Sequence, residues 1–287
     1  MHSSITTALP LSPPAGRWRA PPLVSASFGL HALAAGSLLL APEWAGWALG
    51  AVALNHAALT AAGLWPRSVL LGPNVTRLPE PACARRAVAL TLDDGPNPEI
   101  TPAVLELLER EGVCVTFFCV AERAKAQPAL MREIVARGHS VQNHSYGHRH
   151  HFALLGPRGM AREVERAQQT LADLTGVLPH CFRAPAGLRN PFLDLVLHRL
   201  GLHLVSWTRR GFDTRTRNPQ RVLARLTAGL SAGDILLLHD GHAQRTAHGQ
   251  PVALAVLPAL LQACRGAGLQ FETLRAAVPQ RHQGASP

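Results

Sequence analysis

The sequence predicts an α/β fold in which about seven strand–helix units form a barrel, preceded by a transmembrane helical hairpin. Three observations lead to this fold class. Apolar runs of strand length alternate with helical patterns from Arg86 onward. Two long uncharged runs come before that alternation, and polar residues fall just after successive apolar runs. A chain of 287 residues can hold one large domain and such an appendage.

The N-terminal region carries the membrane signal. Residues 1–20 are rich in Ser, Thr and Pro, and we expect them to be disordered. Leu23–Leu40 is a run of 18 uncharged residues, and Trp44–Trp65 is a second run of 22. Because ~20 apolar residues cross a bilayer and Trp favours its interfaces, residues 21–65 are predicted to form a two-helix membrane hairpin. A signal peptide followed by a buried helix is the alternative interpretation.

Charge predicts the orientation of this hairpin. Arginines lie before the first run and after the second, whereas the short break between the runs has no Lys or Arg. The positive-inside rule then places both ends, and the domain that follows, on the cytoplasmic side of the inner membrane. A cleaved signal or a single span would place that domain on the periplasmic face instead. The Pro-rich residues 66–84 are predicted to be a linker.

Composition constrains partners and compartment. The net charge is +10, almost all of it from Arg, because Lys125 is the only Lys. These arginines are scattered along helical stretches and aromatic residues make up 5% of the chain, so we expect no nucleic-acid partner. An Arg-rich surface is instead suited to anionic membrane lipid. The five cysteines show no zinc-ribbon or CxxC spacing, which favours a reducing compartment.

Strand and helix patterns alternate through the rest of the chain. The predicted strands are 87–92, 115–120, 140–144, 181–184, 202–207, 235–238 and 271–274. The predicted helices are 98–111, 122–137, 158–174, 192–200, 219–230 and 252–267. Such alternation implies parallel strands with helices outside, and in barrels of this kind the chemistry lies at the carboxyl ends of the strands.

Polar side chains do cluster at those strand ends. They are Asp93 and Asp94 after the first strand, His144 and His148 after the third, Arg183 at the fourth, Asp213 after the fifth, and His239 and Asp240 at the sixth. Polar residues placed at random would not repeatedly follow an apolar run. This set is therefore the candidate site.

His144 and His148, in the segment HSYGH, have a spacing that directs two imidazoles at one ion. With a carboxylate they form a two-His-one-carboxylate set, which suits Zn, Fe, Co or Mn and leaves positions open for water and substrate. The pair alone is a weak signal in a chain with 15 histidines, so a polar surface loop is the alternative.

The adjacent carboxylates of Asp93 and Asp94 are a stronger signal. Two neighbouring negative charges are costly unless a cation or an Arg compensates them. Because side chains alternate along a strand, one carboxylate can bind metal while the other meets the substrate water. A helix-capping turn is the alternative, and it explains one Asp better than two.

Arg183 and His239 complete the candidate set. Arg183, in RAPAG, can hold a carboxylate by a bidentate contact, although an ordinary surface Arg is the alternative. His239, in LLLHD, can act as a general acid at a strand end, although a satisfied core His is equally compatible with the pattern.

Taken together, TLDDGP, HSYGH, RAPAG, the Trp207–Asp213 segment and LLLHD resemble the five motifs of the polysaccharide deacetylase (NodB-homology) family, carbohydrate esterase family 4, in the same order. The resemblance covers roughly residues 85–274. It implies a distorted (β/α)7 barrel, so residues 85–276 are predicted to be a catalytic domain and residues 277–287 a disordered tail. It also implies an enzyme that hydrolyses the linear amide bond of an N-acyl amino sugar.

The resemblance assigns roles residue by residue. It implies that Asp93 is the general base that activates the hydrolytic water. It implies that Asp94, His144 and His148 hold a divalent metal, with Zn first and Co, Mn, Ni or Fe as alternatives. Arg183 would orient and tune Asp93.

The remaining roles concern the acyl group and the leaving amine. The resemblance implies that the backbone N–H of Ala186 helps to hold the oxyanion and that Leu237 lines the acyl pocket. His239 would protonate the departing amine, and Asp213 would pair with His239 and tune it.

Three positions depart from the family pattern. Leu92 stands where the first motif commonly has Phe, which is a mild packing change. Ala186 replaces an aromatic residue of the third motif, and Thr214 replaces the aromatic that usually follows the fourth-motif Asp. Both changes alter the wall of the acyl site and groove, so they bear on the substrate more than on the chemistry.

The leading hypothesis is a membrane-anchored deacylase, removing acetyl from a lipid-linked or envelope amino sugar, with membrane lipid as a further partner. A periplasm-facing deacetylase of peptidoglycan or exported polysaccharide is the second hypothesis, and topology separates the two. A catalytically silent carbohydrate-binding protein on the same barrel is the third. Loss of a metal ligand or of the base would favour it, and all of these residues are present.

Overall fold

A parallel sheet forms the centre of the protein in the computed structural model, which describes residues 16–281. The strands are β1 Ala87–Asp93, β2 Thr116–Cys119, β3 Ser140–Asn143, β4 Cys181–Phe182, β5 His203–Leu204, β6 Arg209–Arg210, β7 Ile235–His239 and β8 Gln270–Phe271. They pair in parallel in the order β5-β4-β3-β2-β1-β7-β6, and β8 pairs with the start of β1. The long strand β1 therefore lies at the middle of the sheet.

Helices follow most of the strands. They are α1 Pro22–Leu40, α2 Ala45–Leu64, α3 Glu80–Ala84, α4 Thr101–Arg110, α5 Ala121–Ala126, α6 Pro128–Ala136, α7 Pro157–Thr175, α8 Leu193–Arg199, α9 Pro219–Thr227, α10 Val252–Gly266 and α11 Leu274–Ala277. The predicted helix 122–137 is in fact two helices, because Pro128 cannot donate the hydrogen bond that would continue α5 and instead starts α6.

The sheet forms an open barrel. Its edge strands β5 and β6 are not paired with each other within the described residues, and Val75 instead pairs with Val205 beside β5. The predicted α/β barrel is confirmed, and this gap accounts for its distortion. Strand β6 was not predicted, because its two arginines lie in a polar segment that gives no apolar run.

The side chains of β1 alternate between two cores. Val88, Leu90 and Leu92 pack in a cluster with the surrounding helices, whereas Ala87 and Ala89 pack in a second cluster on the other face of the sheet. Asp93 continues the Ala87–Ala89 row, because side chains repeat with a period of two along a strand. The sequence alternation therefore directs this carboxylate into the barrel.

The two N-terminal helices form a hairpin. Asn55 Nδ2 of α2 donates to Ser27 Oγ of α1 at 2.8 Å, and the His31 and His56 Nε2 atoms lie 3.2 Å apart. Both helices are long and apolar enough to cross a membrane, and 11% of each apolar window is buried.

The segment predicted to be a linker is packed against the barrel. Leu78 and Ala82 are buried in the inner core, and residues 80–84 form α3. Val75 N donates to Leu204 O at 2.9 Å, and Ser206 N donates to Val75 O at 2.9 Å. Residues 66–84 therefore extend the folded domain and are not a free linker. Their prolines had suggested otherwise because proline marks exposed loops as well as linkers.

The predicted disordered ends need correction where they are described. Trp18 Nε1 donates to Asp194 Oδ2 at 2.8 Å, so residues 16–20 contact α8. Ala277 and Val278 are buried in the inner core, so the first residues of the predicted tail belong to the domain. The predictions for residues 1–15 and 282–287 lie outside the described residues.

Candidate active site

The predicted site residues meet at the carboxyl ends of the strands, around a cavity of about 660 Å³. Those that line it are Asp93, Asp94, His144, His148, Ala186, Leu237 and His239. Arg183 and Asp213 are fully buried behind this wall, in contact with Asp93 and His239 respectively. All nine come together because parallel strands end at one pole of a barrel.

Asp93 is held by a buried arginine. Arg183 Nη1 donates to Asp93 Oδ1 at 2.6 Å and to Thr91 Oγ1 at 2.8 Å. The rest of the guanidinium donates to the carbonyls of Val205 and Ser206 at 3.2 and 2.9 Å. The Arg183 guanidinium also lies 4.0 Å from the centroid of the Phe118 ring. Every part of this cation has a partner, so Asp93 is fixed in orientation and its charge is compensated.

Asp94 turns away from Asp93 towards a group of imidazoles. Its φ of 73° takes the chain out of the strand. Asp94 Oδ1 lies 3.2 Å from His144 Nε2 and 3.0 Å from His148 Nε2, and Oδ2 lies 3.2 Å from His242 Nδ1. Burial raises the pKa of Asp94, but the three imidazoles outweigh burial and hold this pKa well below its ordinary value.

These residues fit a divalent metal ion. His144 Nδ1 lies 2.8 Å from the carbonyl oxygen of Arg183, which can only accept, so Nδ1 carries the proton and Nε2 presents a lone pair. Asp94 Oδ1 is buried and has no hydrogen-bond partner within the described residues. One ligand atom from each of Asp94, His144 and His148 lies within 4.8 Å of the others. A cation between them would satisfy the orphaned oxygen and both lone pairs.

His239 forms a second, separate pair with Asp213. Its Nδ1 lies 2.9 Å from Asp213 Oδ1, and its backbone N–H donates to Asp213 Oδ2 at 2.8 Å. Burial lowers the pKa of His239, but the charge and hydrogen bond of Asp213, with weaker help from Asp93 and Asp94, leave it raised. Nε2 of the same ring is left to face the cavity that His239 lines.

Sequence reasoning missed three residues of this site. His242, two residues after Asp240 in HDGH, contacts Asp94, and Arg123 of α5 stacks its guanidinium nitrogens 3.1 and 3.4 Å from the His242 ring. Arg210 lines the cavity and lies 5.1 Å from the Trp207 ring. His242 could have been found from its position three residues after His239 of LLLHD, and Arg210 from its place within the Trp207–Asp213 segment. Arg123 belongs to no motif, and only the tertiary fold brings it to the site.

Asp240 also lies at a strand end, but its side chain does not line the cavity. Its Oδ2 accepts a hydrogen bond of 2.5 Å from Thr101 Oγ1, beneath the Gly95 turn. Burial raises the pKa of Asp240 to about 7. A side chain at Gly95 or Gly241 would collide with Asp240 and Asp94 respectively, so these glycines permit the close packing of the motif loops.

Comparison with known proteins agrees with this geometry. The family model for polysaccharide deacetylase matches residues 82–205. A chitooligosaccharide deacetylase from Sinorhizobium fredii is 32% identical over 212 residues, which cover 71% of this chain and 96% of that protein. The chain belongs to the polysaccharide deacetylase family. A solved structure supports the same assignment: a family 4 carbohydrate esterase from Streptomyces lividans, in complex with acetate, matches with a TM-score of 0.60 at 31% identity and covers 69% of this chain and 97% of that one.

Other relatives in the polysaccharide deacetylase family are longer. The peptidoglycan-N-acetylglucosamine deacetylase PgdA of Listeria monocytogenes is 29% identical over 204 residues, which cover 70% of this chain. The match spans 41% of the PgdA protein. The N-terminal hairpin lies outside the region that the family model matches.

Proposed function

We propose that this protein is a metal-dependent hydrolase that removes an N-acetyl group from an amino-sugar glycan at a membrane. The proposal rests on one observation, which is that three separate groups of ionisable side chains meet at one cavity. They are the Asp93–Arg183 pair, the Asp94–His144–His148 group and the His239–Asp213 pair. Amide hydrolysis needs a base, an electrophile that accepts charge and an acid, and these units meet the three needs separately.

Asp93 is the general base in this proposal. It lies at the cavity wall with one oxygen bonded to Arg183 and the other 3.9 Å from His144 Nε2. The Arg183 contact orients Asp93, so Asp93 can take a proton from water as that water attacks the amide carbon. After the carbon–nitrogen bond breaks, Asp93 releases this proton to solvent, which restores the base.

His239 is the general acid. An amine leaves poorly unless it is protonated, and the Asp213 carboxylate raises the pKa of His239 and so favours its imidazolium form. Asp213 holds Nδ1, so the proton that is transferred comes from Nε2. The products are an amine on the sugar and a carboxylic acid, which ionises to a carboxylate and a proton, with one water consumed.

Asp94, His144 and His148 are proposed to hold the divalent metal, with Zn²⁺ as the first choice for two imidazoles and one carboxylate. When bound, the ion polarises the acyl carbonyl and lowers the pKa of water. The backbone N–H of Ala186 is proposed to assist at the oxyanion. Ala186 is exposed, has a φ of 55° and lines the cavity. Leu237 lines the same cavity and is proposed to line the acyl pocket.

The substrate is proposed to be an N-acetylglucosamine-type sugar that is lipid-linked or part of the envelope. The named activities of the Sinorhizobium and Listeria relatives support the sugar, and the two apolar helices support a membrane location. The arginines that flank the hairpin favour a cytoplasmic face for the barrel, with the periplasmic face as the alternative.

The test is metal content and amine release on the full chain in detergent. Metal is quantified by mass spectrometry, and free amine is measured with N-acetylglucosamine oligomers and lipid-linked N-acetyl sugars. His144→Ala is compared with His150→Ala, which makes the same change at an exposed cavity residue outside the proposed ligand set. We expect stoichiometric metal and turnover in the native chain, and loss of both in His144→Ala alone.

Other outcomes are decisive in the opposite direction. A folded native chain that binds no metal would overturn the mechanism and favour a silent carbohydrate-binding protein. Metal binding without turnover on either substrate would reject these sugars as substrates.

A further inference from the structure

Exposed apolar side chains of the barrel domain are confined to one region. In the described part of the chain beyond residue 65, the exposed large hydrophobic residues are Val69 at 62%, Leu70 at 56%, Leu154 at 85% and Phe192 at 43%. Leu64 and Trp65, at the end of α2, are 60% and 64% exposed. We name Leu64, Trp65, Val69, Leu70, Leu154 and Phe192 the rim patch. Single exposed apolar residues are ordinary, but confinement to one region is a mark of an interaction surface.

Hydrogen bonds join the three segments that carry the rim patch. Arg189 N donates to Gly63 O at 3.2 Å, and the buried Arg189 guanidinium donates to Ser68 O. These contacts tie the loop before α8 to the end of α2. Asn190 Nδ2 donates to the carbonyls of Ala153 and Leu155, each at 2.9 Å, so the same loop also holds the Leu154 turn.

The rim patch adjoins the mouth of the catalytic cavity. His150 and His151 line the cavity and directly precede the turn that carries Leu154. Ala186 and Gly187 line it and precede the loop that carries Phe192. A side chain at Gly187 would lie 2.7 Å from Pro66, the residue that follows α2 and Trp65. The end of the second apolar helix is thus in contact with the cavity wall.

The dimensions of the hairpin fix the depth of this wall in a membrane. α1 has 19 residues and α2 has 20, which is roughly 30 Å of helix and so the thickness of a bilayer core. Trp44 and Trp47 are exposed at the far end, and Trp65 is exposed at the barrel end. Because Trp favours the interface, a hairpin inserted in a bilayer would hold its barrel end at headgroup level, with the cavity wall beside it.

The charge around the rim patch suits a lipid surface. The segments 16–21, 63–74, 149–158 and 188–199 carry the exposed arginines Arg17, Arg19, Arg67, Arg149, Arg158 and Arg199. Asp194 is the single acidic residue in these segments, and it is buried against Trp18. Apolar side chains surrounded by cations, continuous with two apolar helices, match an anionic membrane interface better than a protein partner.

We propose that the barrel lies on the bilayer through the rim patch, so that the cavity mouth opens at headgroup level and takes sugars carried on a membrane lipid. The surface rests on the geometry above, whereas the substrate class rests also on the proposed deacetylase function. A sugar attached to a lipid headgroup lies at the same depth as the mouth of the cavity. The binding of a soluble oligosaccharide does not depend on the hairpin.

The surface is tested by fluorescence quenching on the full chain. Leu154→Cys and Phe192→Cys are each made in a Cys114→Ser background, labelled with NBD, and reconstituted in nanodiscs of anionic lipid with or without nitroxide-labelled phosphatidylcholine. Gln270→Cys is the control, since Gln270 is exposed and pairs beside Ala87 at the opposite pole of the barrel. The C114S chain without an added cysteine is the blank.

We expect nitroxide lipid to quench positions 154 and 192 about twofold or more and to leave position 270 unchanged, because only interfacial groups meet the labelled lipid. Equal quenching at all three positions, or at none, would overturn the proposed surface. This result does not depend on enzymatic activity, so it stands or falls separately from the proposed function.

The substrate class is tested with the full chain carrying both Leu154→Ser and Phe192→Ser. We expect the rate on a lipid-linked N-acetyl sugar in vesicles to fall about tenfold, since two apolar side chains leave the bilayer. The rate on soluble N-acetylglucosamine oligomers is expected to stay within about twofold, because neither Leu154 nor Phe192 lines the cavity. Equal losses on both substrates, or no loss on either, would reject a lipid-carried substrate.

Discussion

Two buried histidines of the cavity, His144 and His239, differ in the partner of one ring nitrogen. Nδ1 of His144 lies against the carbonyl of Arg183, which is neutral. Nδ1 of His239 lies against the carboxylate of Asp213, which is charged. Both arrangements leave Nε2 facing the cavity. The same side chain, at the ends of two strands of one barrel, is thus set up for two kinds of chemistry.

This difference shows how the hydrogen-bond partner of Nδ1 determines the chemical role of Nε2 in the same ring. A neutral carbonyl fixes the tautomer of His144 without stabilising a positive charge, so Nε2 remains a lone-pair donor for a metal. A carboxylate stabilises the imidazolium of His239 and raises its pKa, so Nε2 keeps a proton to give. This comparison yields predictions that can be ordered by their effect on turnover.

The largest effect is expected from the histidines themselves. His144→Ala removes a proposed metal ligand and should abolish both metal binding and activity. His239→Ala should lower activity by roughly 10²–10⁴-fold and leave metal binding intact, because it removes only a proton donor. Metal content after gel filtration and amine release are measured on both variants. Loss of metal from His239→Ala would contradict the proposed difference in role between His144 and His239.

Asp93→Asn is expected to have the next largest effect. It keeps the shape of the side chain but removes the proposed base, so activity should fall about 10²–10⁴-fold while metal stays bound. It also leaves the buried Arg183 without a carboxylate, so thermal unfolding should occur at a lower temperature than in the native chain. Asp94→Asn is the adjacent control, and it should lose metal. Equal metal loss in both variants would contradict the assignment of Asp93 as the base and Asp94 as the metal ligand.

The convergence of these groups could be predicted from the sequence because two periodicities determine it. Alternation along β1 sends Asp93 inwards, and parallel strands bring their carboxyl ends to one pole. Five motifs in order then identified the family. His144, for example, could be proposed from its spacing to His148 in HSYGH and from its place after a short strand-like segment.

Other features could not be predicted because they depend on contacts between distant segments. Arg123 belongs to a helix with no motif, and its approach to His242 exists only in the folded protein. The proline-rich residues 66–84 gave a linker-like composition, yet Leu78 is buried in the barrel. Composition depends only on the residues of a segment itself. The packing of a loop depends also on the surface that the loop contacts.

A smaller effect is expected when the charged partner of His239 is neutralised. Asp213→Asn keeps a hydrogen-bond acceptor but removes the negative charge that raises the pKa of His239. In the native protein His239 is protonated below this raised pKa, and it loses its proton as the pH rises through that value. In Asp213→Asn the decline in activity on the alkaline side should therefore start at lower pH, with about tenfold lower turnover at neutral pH. A full pH–rate profile is required. An unchanged alkaline limb would show that His239 is not the titrating acid.

The smallest effect on turnover is expected at Asp240, which follows His239 in sequence but faces Thr101. Burial raises the pKa of Asp240 to about 7, against 3.8 for an ordinary Asp. The folded state therefore binds a proton that the unfolded state has lost, so stability is greatest below the unfolded pKa. It declines by at most about 1.4 kcal/mol per pH unit as pH rises towards the folded value.

Asp240→Asn should abolish that decline, because an amide fits the same site and still accepts from Thr101. Urea unfolding of the full chain in detergent at pH 5 and pH 7.5 measures the difference, with Asp173→Asn on the exposed face of α7 as the matched control. Turnover should stay within a few-fold of native, since Asp240 does not line the cavity. A loss of turnover as large as that of His239→Ala would show that the Asp240 side chain takes part in the reaction.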